Sequence, residues 1–395
     1  MDYGNSKQAY ERLLSKMLAD MPRKENKAAL AQHVSWLKAK GSNPRTVLKH
    51  LYHFQRFVNA LDKKVVFDKI TRTQVESAMA KIEESDYAIE TKNQIKVVVK
   101  TFYKHRLGDD IYYPPQVAWI KLSNKTRKIL PEDILSEDEV LRMIEAAKSD
   151  RDKAIIALLY DSGARIGELL SLRVKDVNLG GKLAHVMMNG KTGMRQVPII
   201  FSEPYLARYA NSLGNPDPAE PFWRTRNESG KRYLEYAALR KMLGDVTKRA
   251  KLRKRIYPHL FRHSRASNYA NKLTEQQLKS LFGWSGSSRM AGTYVHLSGR
   301  DIDDAVLKAN GLVVEKENTK PKLTVKICPK CHFSNTIHST YCNNCGGILD
   351  INTAVREEEQ NTIVKEAALE ALKDPKVLDK LIDLIQKDQE KKRKK

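Results

Sequence analysis

The chain has 395 residues, more than one ordinary domain holds, so its length predicts two or three domains with separate cores. Lysine and arginine number 71 against 47 aspartates and glutamates, which gives a formal charge of +24. This charge favours a polyanionic partner, nucleic acid first and an anionic membrane surface second. The longest apolar runs, such as Ala154–Tyr160, are far shorter than the ~20 residues of a membrane-spanning helix, so a membrane span is excluded. The N-terminal residues include no apolar signal-peptide core, and we expect a cytoplasmic protein in a reducing compartment.

The positive charge is concentrated in residues 1–310, the first three quarters of the chain. Residues 1–130 have 25 basic and 13 acidic residues, a net charge of +12. Residues 131–310 have 30 basic and 21 acidic residues, a net charge of +9. Residues 311–395 have 16 basic and 13 acidic residues, a net charge of +3. We therefore expect both of the first two segments to form the site for a polyanion.

Helical periodicity dominates residues 1–106. Asn43 and Pro44 predict the N-cap and first turn of one helix, and Thr71 with Gln74 predicts a capping box at the start of another. This pattern predicts a helical N-terminal domain over residues 1–106.

A row of lysines at positions 92, 96, 100 and 104 follows one side of the helix predicted over residues 89–106. Either these lysines form a solvated face, or a bound anion relieves their like-charge repulsion, and we favour contact with DNA. Residues 107–135 contain several prolines and the basic run Lys121–Lys128. This composition predicts a basic linker that can lie along a phosphate backbone.

Residues 136–310 predict a second domain that is mainly α with a small antiparallel β-sheet. Ser136 and Glu139 form a capping box at its start, and the apolar stretch 154–160 predicts a buried helix. Residues 189–193, Asn-Gly-Lys-Thr-Gly, are typical of a hairpin turn. Further helices are predicted to about residue 310.

Four spaced features of this second domain point to phosphate chemistry. They are an arginine between two predicted helices, a lysine at a hairpin tip, a histidine and an arginine on one helix face, and a tyrosine shortly after a Gly-Trp pair: Arg165, Lys191, His259, Arg262, Trp284 and Tyr294. Two guanidiniums match the non-bridging oxygens of a phosphodiester, and histidine and lysine transfer protons. A tyrosine whose flanking cations favour the phenolate becomes a nucleophile. The sequence offers no Asp/Glu cluster suited to two catalytic Mg²⁺ ions, so phosphodiester cleavage without a metal is the predicted chemistry.

In this order and spacing the residues resemble the tyrosine recombinase (phage integrase) family. The resemblance is strong over residues 131–310 and weaker over residues 24–106, which look like the family's helical core-binding domain. It implies a catalytic domain over residues 136–310. The residues that it implies as catalytic are Arg165, Glu168, Lys191, His259, Arg262, Trp284 and Tyr294. His263 and His296 are interpreted as supporting residues.

The resemblance implies a site-specific DNA recombinase that cleaves and rejoins duplex DNA without ATP or a catalytic metal. Tyr294 would attack the scissile phosphate and form a 3′-phosphotyrosyl intermediate. Lys191 would protonate the departing 5′-oxygen, His259 would assist in proton transfer, and Glu168 would orient its neighbours. The charge of the transition state would be stabilised by Arg165, Arg262 and Trp284.

Three alternatives stay open at the level of sequence. Arg195, four residues after Lys191, is a second candidate for the hairpin cation that protonates the leaving group. A type IB topoisomerase, which relaxes supercoils as a monomer, shares the catalytic set. A DNA-binding regulator with a zinc ribbon and a catalytically silent recombinase fold is the alternative outside enzymes, although such a regulator has no need of Tyr294 near two arginines.

Residues 326–350 contain all four cysteines of the chain, arranged as two Cys-x-x-Cys pairs: Cys328, Cys331, Cys342 and Cys345. This spacing is typical of a Cys₄ zinc ribbon, and it predicts one structural Zn²⁺ without which so small a module does not fold. Disulfides are disfavoured in a reducing compartment, and a redox site would need only one pair. We expect the ribbon to contact DNA or a partner protein.

The segments around the ribbon are predicted to be a charged linker, residues 311–325, and a helical tail with a lysine-rich end, residues 351–395.

Before them, residues 301–308 predict a short amphipathic helix whose apolar anchors are Ile302, Val306 and Leu307. In the resembled family such a segment often docks on a neighbouring protomer, so it either couples protomers or packs on its own domain. We expect a homotetramer on DNA, with a dimer at each site. The ribbon and tail favour a mobile-element integrase of the archaeal virus or plasmid type.

Overall fold

The computed structural model of the chain divides into two units, Met1–Ile129 and Leu130–Lys395. It describes residues 3–109, 111–123, 133–179, 183–190, 193–225, 233–270, 272–297, 310–311 and 322–373, together with residues 377 and 380. Over these residues the fold is mainly α with small antiparallel sheets, which confirms the predicted fold class. No helix in the described part of the chain has both the length and the apolar character needed to cross a bilayer.

Six α-helices are described in the first unit: α1 Tyr3–Asp20, α2 Lys24–Ala39, α3 Pro44–Ala60, α4 Arg72–Glu84, α5 Ile89–Leu107 and α6 Pro115–Ala118. Asn43 caps α3 as predicted, because its Oδ1 accepts a hydrogen bond from the Thr46 N–H at 2.9 Å. The predicted capping box of Thr71 and Gln74 begins α4. Each such cap stabilises a helix start by about 1 kcal/mol.

An aromatic core between α3 and α5 holds the first unit together. Phe54 stacks on Phe102 with ring centroids 4.2 Å apart, and Phe67 meets both rings edge-on. Val117 and Ile120 are buried in the same core. Part of the segment predicted as a linker is therefore folded onto this unit, since its apolar side chains find a core to enter.

Eight α-helices are described in the second unit before the cysteines: α7 Glu137–Ala146, α8 Asp150–Ser162, α9 Ile166–Leu170, α10 Glu203–Ser212, α11 Tyr236–Arg249, α12 Pro258–Ala270, α13 Glu275–Phe282 and α14 Met290–Leu297. The predicted capping box of Ser136 and Glu139 begins α7. Every residue from Ala154 to Ser162 of α8 is buried, which explains its continuous apolar run. This helix is the centre of the larger core, and α7, α10 and α12 pack around it.

A three-stranded antiparallel sheet flanks these helices, with strands β1 Val177–Asn178, β2 Ala184–Gly190 and β3 Gly193–Ile199 in that order. The hairpin pairs Ala184 with Ile199 and Gly190 with Gly193, so the predicted strand pair is present. The third strand was not predicted, because β1 has only two residues. The hairpin packs on α9 through β2 and on α13 through β3, which brings both helices next to the sheet.

The cysteine segment begins with a second small sheet, β4 Lys326–Ile327 paired with β5 Ser334–Asn335, and is followed by α15 Ile351–Ala371. Leu323 is buried in the core of the second unit, and the Lys322 N–H donates to Glu137 Oε2 at 2.8 Å. The cysteine segment is therefore anchored to α7 by residues placed in a linker by sequence. The predicted helix at 301–308, the basic run 124–128 and the lysine-rich end lie outside the described residues.

Candidate functional site

The site forms where α8 ends and α9 begins. Gly163 ends α8 in the left-handed conformation, with φ of +55°. A β-carbon at this position would lie 2.4 Å from Cε1 of Phe282, so the close approach of α13 requires glycine. The turn places Arg165 at the N-terminus of α9, between two helices as predicted.

Glu168 is the carboxylate at the centre of the site and is 2% exposed. Its Oε1 accepts from Arg165 Nη1 at 2.8 Å, and its Oε2 accepts from the Arg165 backbone N–H at 2.9 Å. Arg195 donates to both oxygens as well. Burial raises the pKa of Glu168, but these hydrogen bonds from Arg195 and Arg165 outweigh it and lower the pKa to about 2. Glu168 is therefore an anion that orients two guanidiniums, the role expected for it.

Arg262 of α12 is the most deeply buried cation of the site. Its Nη1 donates to the carbonyl of Gly163 at 3.0 Å and its Nη2 to that of Phe282 at 2.5 Å. Burial, followed by the positive charge of Arg165, lowers the pKa of Arg262 to about 9. The guanidinium remains charged at neutral pH, but its environment is electropositive and favours the approach of an anion.

His259, one helical turn before Arg262, faces the same cavity, as predicted from the shared helix face. Burial, followed by the positive charges of Arg262 and Arg165, lowers the pKa of His259. His263, on the following turn of α12, contacts His259 edge-on with ring centroids 4.7 Å apart. Both rings are thus held next to the arginines, where the neutral form is favoured.

Tyr294 on α14 is 2% exposed and hydrogen-bonds through its hydroxyl to Nδ1 of His263. Its ring lies parallel to that of Trp284, with an interplanar angle of 4° and centroids 5.5 Å apart. Burial raises the pKa of Tyr294 to about 12, although Arg262 acts in the opposite direction. The expectation that flanking cations favour the phenolate is therefore wrong for this resting structure, because desolvation outweighs the cations.

These residues line an open cavity of about 370 Å³, together with the turn between α13 and α14. Its lining consists of Arg165, His259, Arg262, Gly283, Trp284, Ser285, Ser288, Met290 and Tyr294. Three guanidiniums lie at or beside this cavity: those of Arg165 and Arg195 hydrogen-bond to Glu168, and that of Arg262 donates to two backbone carbonyls. Their three positive charges exceed the one negative charge of Glu168. The excess positive charge is matched by a phosphate with two non-bridging oxygens.

The structure brings together six of the seven predicted catalytic residues, and the seventh, Lys191, lies outside the described residues. Two contacts were missed. The hydrogen bond between His263 and Tyr294 had a sequence signal, because His263 follows His259 by four residues on one helix. The buried pair of Arg195 and Glu168 had none, since 27 residues separate its partners.

The lysine row of α5 has an explanation other than DNA. The Lys96 ammonium forms an ion pair with Glu83 at 2.6 Å, and Lys100 donates to the carbonyl of Ile120 at 3.0 Å. Lys92 donates to the carbonyl of Glu83 at 2.5 Å. Intramolecular partners therefore relieve the repulsion that favoured an anion in the sequence.

The four cysteines form one cluster, as predicted, with their sulfur atoms all within 4.8 Å of one another. Cys328 Sγ lies 3.6 Å from Cys345 Sγ, and Cys331 Sγ lies 3.6 Å from Cys342 Sγ. These distances are too long for disulfides, whose sulfurs are ~2.05 Å apart. They fit the edges of a thiolate tetrahedron around one metal ion.

Four known proteins or families resemble this chain. The sequence profile of the phage integrase family matches residues 133–300. A tyrosine recombinase XerD of Oceanobacillus iheyensis is 28% identical over 267 residues, 65% of this chain and 88% of that protein. A tyrosine recombinase XerC of Staphylococcus epidermidis is 30% identical over 224 residues, 54% of this chain and 72% of that protein. A lambda integrase dimer bound to a COC′ core site has the same fold, with a TM-score of 0.55 and 17% identity over 69% of this chain and 78% of that one.

Proposed function

The chain belongs to the phage integrase family of tyrosine recombinases, and on that premise we propose how its cavity cleaves and rejoins DNA. It is a site-specific recombinase, an enzyme of DNA strand cleavage and transfer. The observation that carries the proposed mechanism is the convergence of Arg165, Arg262 and Tyr294 on one open cavity. A phosphodiester held by the two guanidiniums lies within reach of the tyrosine hydroxyl.

Tyr294 is the proposed nucleophile. Its oxygen attacks phosphorus and its proton passes to Nδ1 of His263, the acceptor to which the hydroxyl is already hydrogen-bonded. The bond from phosphorus to the 5′-oxygen breaks, and the leaving oxygen takes a proton from Lys191, with His259 assisting. A 5′-hydroxyl of a second strand then reverses the step. The phosphotyrosine retains the bond energy, so the cycle needs no ATP and no catalytic metal.

The charge that develops on phosphorus is stabilised by groups already in place. Arg165 and Arg262 are fixed by carbonyl and carboxylate partners, so little reorganisation accompanies the reaction. Trp284 stacks between Phe282 and Tyr294 and lines the cavity, and its indole N–H is the proposed donor to the phosphate. His263 is neutral at pH 7 because burial and His259 lower its pKa to about 4. The negative phosphate raises the basicity of His263 as it binds.

The cysteine cluster is proposed to hold one structural Zn²⁺. Four thiolates at a zinc–sulfur distance of ~2.3 Å form a tetrahedron with edges of ~3.8 Å, close to the 3.6 Å separations of the two pairs. Asn335 is fully buried and donates from Nδ2 to Cys342 Sγ at 3.5 Å, as an outer partner of a thiolate does. Purified protein should contain one zinc per chain by elemental analysis, and Cys331→Ser with Cys342→Ser should contain none. Iron in place of zinc would contradict the assignment.

The assembly and domain organisation are proposed by analogy with the family. We propose a helical core-binding domain at 1–106, a catalytic domain at 136–310 and a zinc ribbon at 326–350, acting in the cytoplasm as a dimer at each DNA site and a tetramer in synapsis. The dimer of lambda integrase on its core site supports this arrangement by analogy of fold. The ribbon and the tail remain the proposed surfaces for a protein partner.

The test is strand exchange between two defined duplex sites, selected from random DNA by binding to the full chain. The proposal expects recombinant products from wild-type protein and none from Tyr294→Phe. Relaxation of any supercoiled plasmid without exchange would support a topoisomerase instead, and sequence-specific binding without cleavage would support the regulator.

A further inference from the structure

Arg195 lies beside the cavity and has no role in the mechanism proposed above. It lies on β3 and its side chain is 11% exposed. Nη1 and Nη2 donate to the two oxygens of Glu168 at 3.1 and 2.8 Å, and Nε donates to the carbonyl of Leu281 at 3.0 Å. Each nitrogen of the guanidinium is therefore engaged by protein, and Arg195 is absent from the lining of the cavity. In this structure Arg195 therefore has its guanidinium turned to Glu168 and Leu281, which favours Lys191 as the proton donor.

These bonds join three elements, β3, α9 and α13. Through Glu168 the guanidinium reaches α9 and Arg165, whose Nη2 in turn donates to the carbonyl of Gly283 at 2.9 Å. Through Leu281 it reaches the end of α13. A β-carbon on Gly283 would lie 2.8 Å from Arg195 Nη1, so the guanidinium packs directly against the turn that precedes Trp284.

We propose that Arg195 is a positioning residue, which sets Arg165 and Trp284 at the distance that the transition state requires. The inference rests on the proposed function of the cavity. A planar fork is needed for this role, because a lysine ammonium cannot hold two carboxylate oxygens and a carbonyl on different elements at once. A misplacement of about 1 Å in such a site costs roughly 10²-fold in rate.

The second unit provides a matched control in Arg265 and Asp161. The side chains of this ion pair have the same exposures as Arg195 and Glu168, 11% and 2%, and the same closest distance of 2.8 Å. Arg265 also donates to the backbone carbonyl of Asp161 and lies 4.0 Å from the centroid of the Tyr269 ring. Neither Arg265 nor Asp161 lines the cavity. Loss of either pair removes a buried ion pair, but only one pair touches the site.

The experiment compares Arg195→Lys with Arg265→Lys in the full-length protein. Thermal unfolding, affinity for the selected duplex and the single-turnover rate of adduct formation on a nicked suicide duplex are measured for each. We expect both variants to lose thermal stability, and both to bind DNA within threefold of wild type. Arg195→Lys should form adduct about 100-fold more slowly at saturating DNA, whereas Arg265→Lys should stay within threefold.

Two results overturn the proposal: an adduct rate for Arg195→Lys within threefold of wild type, or an equal loss in both variants. If Arg195→Lys proves unfolded by circular dichroism, Arg195→Gln, whose amide keeps a donor for Glu168, replaces it with the same expected order of rates. Absence of any adduct from the wild-type protein would instead refute the proposed function, so the two failures are distinguishable.

Discussion

Each unit of the molecule contains its own group of buried histidines that contact one another. Only the group in the second unit belongs to a site. In the first unit His33 lies with its Nδ1 3.4 Å from Nδ1 of His105, and its ring is 4.8 Å from that of Phe102. Burial, followed by the charges of His50 and His105, lowers the pKa of His33 to about 3. In the second unit burial and His259 lower the pKa of His263 to about 4.

The difference lies in what surrounds each group. His33 is enclosed by rings, among them Trp36 at 5.4 Å, and the guanidinium that influences its pKa, that of Arg106, is paired with Asp68. His263 instead faces Tyr294 beside a cavity lined by arginines. A lowered histidine pKa therefore reports burial in both units. Two further features identify the reactive group: a nucleophile next to the histidine, and arginines that outnumber the nearby carboxylates.

The largest expected difference between the two histidine groups is in the rate of catalysis. His263→Gln removes the proton acceptor of Tyr294, so the single-turnover rate of adduct formation should fall about 10²- to 10³-fold with DNA affinity unchanged. His50→Gln, in the cluster of the first unit, should leave the rate within twofold of wild type. Equal rates for wild type and His263→Gln on the suicide duplex would show that another group takes the proton.

A smaller effect separates them by stability. In the unfolded chain His33 takes up a proton near pH 6.5, but in the folded core it stays neutral down to about pH 3. The contribution of His33 to the free energy of unfolding is therefore complete above pH 6.5 and declines as the pH falls towards about 3. The first unit should lose ~2 kcal/mol between pH 7.5 and pH 5 from this residue. The change in the free energy of unfolding is measured by urea unfolding, in which proteolytic cleavage within α2 and α3 reports how much of the first unit is unfolded.

His33→Leu serves as the control for that measurement. It removes the titrating group and should flatten the pH dependence by the same amount. An unchanged pH dependence in His33→Leu would assign the effect to other residues.

The smallest effect separates them by their response to an anion. Sulfate bound between Arg165 and Arg262 should raise the pKa of His263, whereas the enclosed His33 should not respond. Imidazole resonances followed by nuclear magnetic resonance against pH, with and without sulfate, report both shifts. Equal shifts in the two histidines would mean that the cavity does not concentrate anions.

Much of this arrangement could be predicted from sequence, because it depends on local signals. The caps at Asn43 and Thr71, the hairpin turn and the paired cysteines are read from neighbours in the chain. The grouping of Arg165 with Tyr294 came from a family resemblance, not from periodicity.

What could not be predicted depends on contacts between distant elements. The partners of Lys96 and Lys100 lie on other segments, so the row of α5 looked unpaired. The pKa of Tyr294 depends on how deeply its hydroxyl is buried, which spacing does not reveal. The link from Arg195 to Glu168 requires the hairpin to pack on α9 through β2, so that Arg195 of β3 comes within reach.

The central claim is that Tyr294 is the nucleophile of this cavity. The direct measurement traps wild-type protein on a nicked suicide duplex, digests the complex and locates the nucleotide-bearing peptide by mass spectrometry. The account predicts a single modified peptide with the nucleotide on Tyr294, and no adduct from Tyr294→Phe. A nucleotide on any other residue, or an adduct that persists in Tyr294→Phe, would contradict it.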